Sequence, residues 1–208
     1  MKVLLLNGSP RAQGNTYLAL SEIAAVLARH GVDSEIFQLG TDPVRGCLGC
    51  RSCKTTKKCV FDDIANRLVE KASQSDGFIF GTPVYYGGAN GALCAVLDRA
   101  FYSGAGAFTG KPAASVVVCR RGGAASAFDR LNKYITINQM PLVSSQYWNS
   151  IHGHEVGEVL QDKEGLQTMR TLAENLVWLL RCIESGRDTV PPPTVEDRIR
   201  TDFVDKFE

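Results

Sequence analysis

Short apolar runs alternate with amphipathic helical patterns along most of this chain. Between the runs, apolar residues recur at intervals of three and four, which is the spacing of a helix with one buried face. Strands that alternate with helices in this way form a parallel sheet covered on both sides. The sequence therefore predicts an α/β fold, a doubly wound five-stranded parallel sheet with helices on both faces. The candidate strands are Val3–Asn7, Ser34–Gln38, Gly77–Gly81, Ser115–Cys119 and Leu142–Tyr147.

Length and composition are those of a single folded unit. The chain has 208 residues, of which 44% are hydrophobic and 22% charged, and its formal net charge is +1. This charge gives no reason to expect a nucleic-acid partner, and no apolar stretch approaches the ~20 residues that span a bilayer. No secretory signal pattern is seen, so we expect a cytoplasmic protein without a membrane partner. The last helical pattern ends near Gly186, which predicts a domain over residues 1–185 and a C-terminal extension over 186–208.

A polar loop that contains two glycines, Gly8 and Gly14, separates the first strand from the first helix. A helix N-terminus has unpaired N–H groups and a partial positive charge, so it suits a phosphate. The loop lacks both the Gly-x-Gly-x-x-Gly of dinucleotide folds and the lysine of a P-loop, which favours a monoester phosphate. An ordinary N-capped helix is the alternative. The residues expected to bind the phosphate are Ser9, Arg11, Gly14, Asn15 and Thr16.

Two further glycine-rich loops follow the third and fourth predicted strands. Parallel strands bring such loops to one edge of the sheet, where ligands bind. The tyrosines of the first loop suit a flat aromatic ligand such as a flavin, and the arginines of the second would stabilise its reduced form. Half-buried aromatics and solvated arginines are the plainer interpretation. The predicted contacts are Pro83, Val84, Tyr85, Tyr86 and Gly87 in one loop, and Arg120, Arg121, Gly122 and Gly123 in the other.

Three motifs together, within residues 8–16, 82–87 and 97–99, resemble the flavodoxin-fold NAD(P)H-dependent FMN reductase family. The resemblance covers about residues 1–183. It implies strand order 2-1-3-4-5, non-covalent FMN at the strand ends, and hydride transfer from a nicotinamide to flavin N5. No side chain is then expected to be catalytic, and Asp98-Arg99 is expected to make structural ion pairs. The resemblance also implies a homodimer or homotetramer with a small-molecule or protein electron acceptor.

Four of the seven cysteines fall close together, at Cys47, Cys50, Cys53 and Cys59. Such a compact run is the usual sign of a [4Fe–4S] cluster. Its spacing resembles the iron–sulfur flavoproteins, a branch of the same family in which electrons pass between cluster and flavin. A zinc site and unligated or redox-active thiols are the alternatives. The other three cysteines are expected to be small core residues.

Three functions fit these motifs. The leading hypothesis is an FMN-dependent NAD(P)H oxidoreductase that passes hydride on to a quinone, a flavin or another acceptor. The second is an iron–sulfur flavoprotein that acts as an electron carrier, and the third is a non-enzymatic flavin-binding sensor or scaffold. A phosphatase-type nucleophile is excluded, since no cysteine is followed six positions later by arginine.

Overall fold

A computed structural model describes residues 1–197, 199 and 201 of the chain. Within them, a six-stranded sheet contains five parallel strands in the order β2-β1-β3-β5-β6, while β4 pairs antiparallel with the end of β3. With the two-residue β4 set aside, this is the predicted order 2-1-3-4-5. The strands are β1 (Lys2–Asn7), β2 (Asp33–Gln38), β3 (Gly77–Tyr85), β4 (Gly88–Ala89), β5 (Ala113–Cys119) and β6 (Ser150–His152).

Helices cover both faces of the sheet, as predicted. One core lies under α1 and α6, and a second core lies under α3, α4 and α5. Two short 3₁₀ turns, Ala105–Ala107 and Glu158–Gln161, complete the described elements. The helices are α1 (Asn15–Arg29), α2 (Cys53–Thr56), α3 (Ile64–Ser73), α4 (Gly91–Gly104), α5 (Ala124–Ile137) and α6 (Lys163–Gly186).

Strand β1 illustrates why this sequence needs two layers of helices. Its apolar residues are buried without interruption, with Val3 and Leu5 in the core under α1 and α6 and Leu4 and Leu6 in the other core. Successive side chains of a strand point to opposite faces, so a continuous apolar run must be covered on both sides. The pairing of β1 with β2 and β3 completes its burial at the centre of the sheet.

The predicted fifth strand, Leu142–Tyr147, is wrong in position. Leu142 makes only an isolated bridge with Ala113, and the chain then leaves the sheet until Ser150 pairs with Val117. The Ser145 hydroxyl closes this excursion by donating to the Tyr147 carbonyl at 2.6 Å. Serine side chains that bond to nearby backbone compete with strand pairing, which the apolar pattern alone does not reveal.

The last helix ends at Gly186, where the sequence pattern predicts its end. Residues 191–197 are exposed and have no regular structure. The rest of the predicted C-terminal extension, apart from 199 and 201, lies outside the described residues. Among the helices of the described part, each is too short or too polar to cross a lipid bilayer.

Candidate functional site

The backbone at Gly8 joins the end of β1 directly to Gly81 in the middle of β3. The Gly8 N–H donates to the Gly81 carbonyl at 2.9 Å, and the Asn90 side chain donates to the Gly8 carbonyl at 2.6 Å. A Cβ on Gly8 would lie 2.7 Å from both the Gly81 carbonyl oxygen and Leu93, so only glycine fits. This contact holds the first two predicted loops side by side at one edge of the sheet.

The first turn of α1 lies at this edge and is open to a ligand. Gly14 is the N-cap, and no side chain of the described residues caps the helix there, so its first N–H groups are free for an anion. The buried Ser9 hydroxyl accepts from the Arg11 N–H at 3.1 Å and shapes the loop, while the Arg11 side chain is exposed. Thr16 is buried, with its methyl group facing Gly81.

The side chain of Asn15 makes two hydrogen bonds to the backbone of a loop distant in sequence. It donates to the Glu155 carbonyl at 2.9 Å, and its oxygen accepts from the Gly157 N–H at 2.8 Å. Both ends of the amide therefore bind the loop after β6. The side chain of Asn15 therefore positions this loop. Its backbone N–H lies in the uncapped first turn of α1 and is the group with which Asn15 can contact a phosphate.

The predicted aromatic loop is the tight hairpin between β3 and β4. Tyr86 and Gly87 both have positive φ angles, +49° and +77°, as in the two-residue turn that suits a twisted hairpin. Glycine and asparagine favour this conformation, and a tyrosine there is uncommon. Its ring is fully exposed, and that of Tyr85 is about half exposed, so neither aromatic is packed into the core.

The loop after β5 packs against this hairpin. Gly123 has φ +91°, and a Cβ there would lie 2.7 Å from the Gly87 Cα and 2.8 Å from Val84. The Ser126 hydroxyl also donates to the Gly87 carbonyl. Pro83 pairs with Val118 across the sheet, so the predicted flavin contacts of both loops are neighbours.

Within this loop, the Arg120, Arg121 and Gly122 positions are close to the surface. Both arginine side chains are exposed, and Gly122 is exposed as well. The Cys119 thiol, in contrast, is buried and donates to the Arg121 carbonyl at 3.6 Å. Burial raises the pKa of this thiol, as expected for a core cysteine.

A fourth loop, residues 153–158, was missed because the last strand was predicted too early. The Gly153 N–H donates to the Cys119 carbonyl at 3.0 Å, and the Glu158 carboxylate accepts from the N–H groups of His154 and Glu155. These N–H groups lower the pKa of Glu158, and the neighbouring His154 and Arg120 side chains lower it further. In the sequence, the two closely spaced glycines Gly153 and Gly157 are the pattern that could have predicted this loop.

The clustered cysteines line a separate pocket beside α4. Cys47, Cys50, Cys53 and Cys59 all contribute to its wall, together with Phe61, Arg99 and Tyr102. The backbone and hydroxyl of Ser52 lower the pKa of the exposed Cys50 thiol, which favours the thiolate that metals bind. In the part of the chain that the structure describes, no three thiol, imidazole or carboxylate groups are close enough to hold one metal ion.

Arg99 lies at the base of this pocket. Its side chain is 1% exposed, and its Nη2 donates to both oxygens of Asp63, at 2.7 and 2.9 Å. Its Nη1 donates to the Cys59 sulfur at 3.6 Å. The adjacent Asp98 instead accepts from the Tyr134 hydroxyl and pairs with Arg130. The Asp98-Arg99 pair therefore makes structural contacts as predicted, but with separate partners.

Comparison with known proteins identifies the family to which this chain belongs. Residues 1–155 match the family described as NADPH-dependent FMN reductase. The chain belongs to this family. Membership in the NADPH-dependent FMN reductase family makes it a flavin-binding oxidoreductase, in agreement with the coarser part of the predicted function.

Relatives that match over their whole length show to which branch of the FMN reductase family this chain is similar. An iron–sulfur flavoprotein of Methanocaldococcus jannaschii is 30% identical over 192 residues, which cover 88% of this chain and 100% of the relative. Another, from Archaeoglobus fulgidus, is 27% identical over 203 residues, covering 91% and 100%. These likenesses confirm the predicted iron–sulfur flavoprotein branch.

Solved structures bear out the predicted fold class of this FMN reductase family member. A flavodoxin from the domain Archaea superposes with a TM-score of 0.59 at 12% identity, over 87% of this chain and 99% of that one. At such low identity the likeness concerns the fold, which is flavodoxin-like.

Proposed function

We propose that the chain is an NAD(P)H-dependent oxidoreductase that binds FMN at the carboxyl edge of the sheet. The observation that carries this proposal is the open N-terminus of α1, surrounded by loops from β3, β5 and β6. FMN bound there would supply hydride and electron transfer between a nicotinamide donor and an acceptor. NADH or NADPH is the proposed donor, and a quinone, a flavin or a similar small molecule is the proposed acceptor.

Residues at the start of α1 are proposed to hold the phosphate group. Ser9, Gly14 and Thr16 lie where the loop meets the helix, and the uncapped N–H groups supply donors that need a partner. The exposed Arg11 adds a mobile positive charge that can close on the phosphate. Asn15 contributes by fixing the loop of residues 153–158 against the same helix end.

The hairpin and the arginine loop are proposed to border the flavin ring. Tyr85 and Tyr86 are exposed at the hairpin, where an aromatic ligand would cover them. Arg120 and Arg121 bring positive charge to the neighbouring loop, which favours the reduced flavin. The contact of Gly123 with Gly87 keeps these two walls of the site together.

The second candidate function, electron transfer through an iron–sulfur cluster, is favoured by the cysteine pocket. Cys47, Cys50, Cys53 and Cys59 line one cavity. Arg99, which also lines it, has a buried Nε without a hydrogen-bond partner among the described residues. Each cysteine of a [4Fe–4S] cluster binds a different iron, so its sulfurs need not converge on one point as they do on zinc at about 2.3 Å. The donor set therefore fits a cluster, which would supply one-electron transfer when bound.

Anaerobic purification followed by absorption spectroscopy tests both functions. We expect a yellow protein whose flavin band near ~450 nm is bleached by NADH or NADPH. Iron and sulfide analysis of the same sample is expected to give about four of each per chain. Protein that neither contains nor takes up FMN would contradict the first function, and flavin that NAD(P)H leaves oxidised would favour a carrier or a sensor.

A further inference from the structure

The second half of α4 forms the base of the cysteine pocket. Arg99, Tyr102 and Ser103 are spaced three and four residues apart, so they share one face of the helix, and all three line the cavity. The Cys53 thiol lies 3.8 Å from the Tyr102 carbonyl, and the Cys59 thiol lies 3.6 Å from Arg99. Arg99 thus brings a buried charge to the wall of the cysteine pocket next to Cys59, whereas the other arginine of the lining, Arg51, is exposed.

The charge of Arg99 is only partly balanced. Its side chain is 1% exposed, whereas that of its partner Asp63 is 34% exposed and so remains in contact with water. Asp63 engages Nη2 alone and Nη1 faces Cys59, while Nε is buried and has no partner within the described part of the chain. A guanidinium in a low-dielectric site keeps its full charge, so neighbouring groups experience a net positive field.

We propose that Arg99 is a positioning residue that raises the reduction potential of a cluster held by Cys47, Cys50, Cys53 and Cys59, and that Asp63 moderates this effect. The inference rests on the proposed cluster. Reduction adds a negative charge to a cluster, so a nearby cation and an N–H donor to a ligand sulfur favour the reduced form. The carboxylate of Asp63 acts in the opposite direction because it cancels part of the guanidinium charge.

Two substitutions are expected to shift the potential in opposite directions. Arg99→Gln removes the cation, and we expect the reduced form to be disfavoured at least tenfold, about 59 mV more negative for one electron. Asp63→Asn removes the balancing charge, and we expect a more positive potential. Asparagine is also a good N-cap, so the bond from Ala65 N–H to residue 63 at 3.0 Å can persist and α3 can keep its start.

Arg45 provides a matched control. Arg45 and Arg99 both lie over the Phe61 ring, with their guanidinium carbons 5.4 and 5.5 Å from its centroid, but Arg45 is exposed. Solvent screens an exposed charge, so Arg45→Gln is expected to change the potential less than Arg99→Gln. A merely structural role for Arg99 would leave the cluster potential of Arg99→Gln equal to that of Arg45→Gln.

The measurement is a potentiometric titration of the anaerobically purified full chain, followed by electron paramagnetic resonance, with iron and sulfide content determined for each variant. The flavin potential in the same titration is expected to stay constant and reports on general damage. Equal cluster potentials in wild type, Arg99→Gln and Asp63→Asn would overturn the proposed role of Arg99. They would not contradict the proposed cluster. Wild-type protein without iron and sulfide would overturn the cluster and this inference with it. If Arg99→Gln fails to fold, Arg99→Met, which also removes the charge, is titrated in its place.

Discussion

Gly14 determines what the first turn of α1 can bind. As an N-cap without a side chain, it leaves the N–H groups of this turn open, whereas serine, aspartate or asparagine would occupy one of them. Its backbone is extended, at φ −80°, so other residues can adopt the same conformation. The helix does not require glycine at this position, but an anion that binds the N–H groups of the first turn requires a residue that leaves them open.

Gly14→Asp is expected to weaken FMN binding at least tenfold, about 1.4 kcal/mol, because its carboxylate would cap the helix and repel the phosphate. Gly14→Asn is the control, since it also caps the helix but carries no charge. A new Cβ would meet that of Arg11 at 3.0 Å in both variants, so this crowding is shared. Both affinities are measured by titrating FMN into each apoprotein and following the FMN fluorescence. Equal affinity in wild type and Gly14→Asp would contradict the phosphate site.

At the scale of elements, the predictable parts are those with a continuous apolar signal. Strands β1, β3 and β5 were predicted because each is an apolar run next to a helical pattern, and β2 was predicted from the short apolar pair Ile36-Phe37 between two helical patterns. The first three loops follow from the ends of β1, β3 and β5. Strand β6 has one buried residue, Ile151, between Ser150 and His152, so no pattern marks it. The loop that follows it, and the task of the Asn15 side chain, depend on contacts between distant residues that spacing cannot reveal.

Asp162 connects β6 to α6 and makes this connection sensitive to pH. Its carboxylate caps α6 through the Gly165 N–H at 2.8 Å and accepts from the His152 N–H at 2.8 Å. Burial would raise the pKa of Asp162, but these N–H groups and the His152 ring lower it below its ordinary value. Its stabilising effect is therefore complete above the unfolded value of about 3.9 and is lost as the pH falls through the folded pKa.

Asp162→Asn keeps a capping oxygen and removes the charge. We expect it to lower the free energy of unfolding by about 1 kcal/mol at pH 7, and we expect this difference from wild type to shrink as the pH falls below about 3.9. Urea unfolding of the two proteins at a series of pH values measures the difference directly. A difference that stays constant down to pH 3 would show that the carboxylate charge has no part in the connection.

For the whole molecule, one sheet separates two apolar cores. Leu172 on α6 is fully buried in one core, and Leu97 on α4 is fully buried in the other. Strands β1, β3 and β5 contribute side chains to both cores. If the helices on one face detach, they expose the strands against which the helices of the other face pack. The predicted single domain over residues 1–185 should therefore unfold as one unit.

Leu97→Ala and Leu172→Ala are each expected to destabilise the protein by about 2–5 kcal/mol, because each leaves a cavity in a closely packed core. The side chains lie on opposite faces, so the double variant should show the sum within about 0.5 kcal/mol. Urea unfolding followed by both circular dichroism and tryptophan fluorescence tests this. Separate transitions for the two signals would argue for two independent units.

Helix α4 begins at the Gly8 contact of Asn90 and reaches the cysteines at Arg99. A helix rises about 1.5 Å per residue, so these two anchors lie about 14 Å apart along a stiff rod. One inserted residue between them would turn Arg99 by about 100° away from Asp63 while Asn90 stayed in place. Helix α4 therefore fixes the distance between the carboxyl edge of the sheet and the cysteine pocket, and an insertion or deletion between these anchors would change both that distance and the orientation of Arg99.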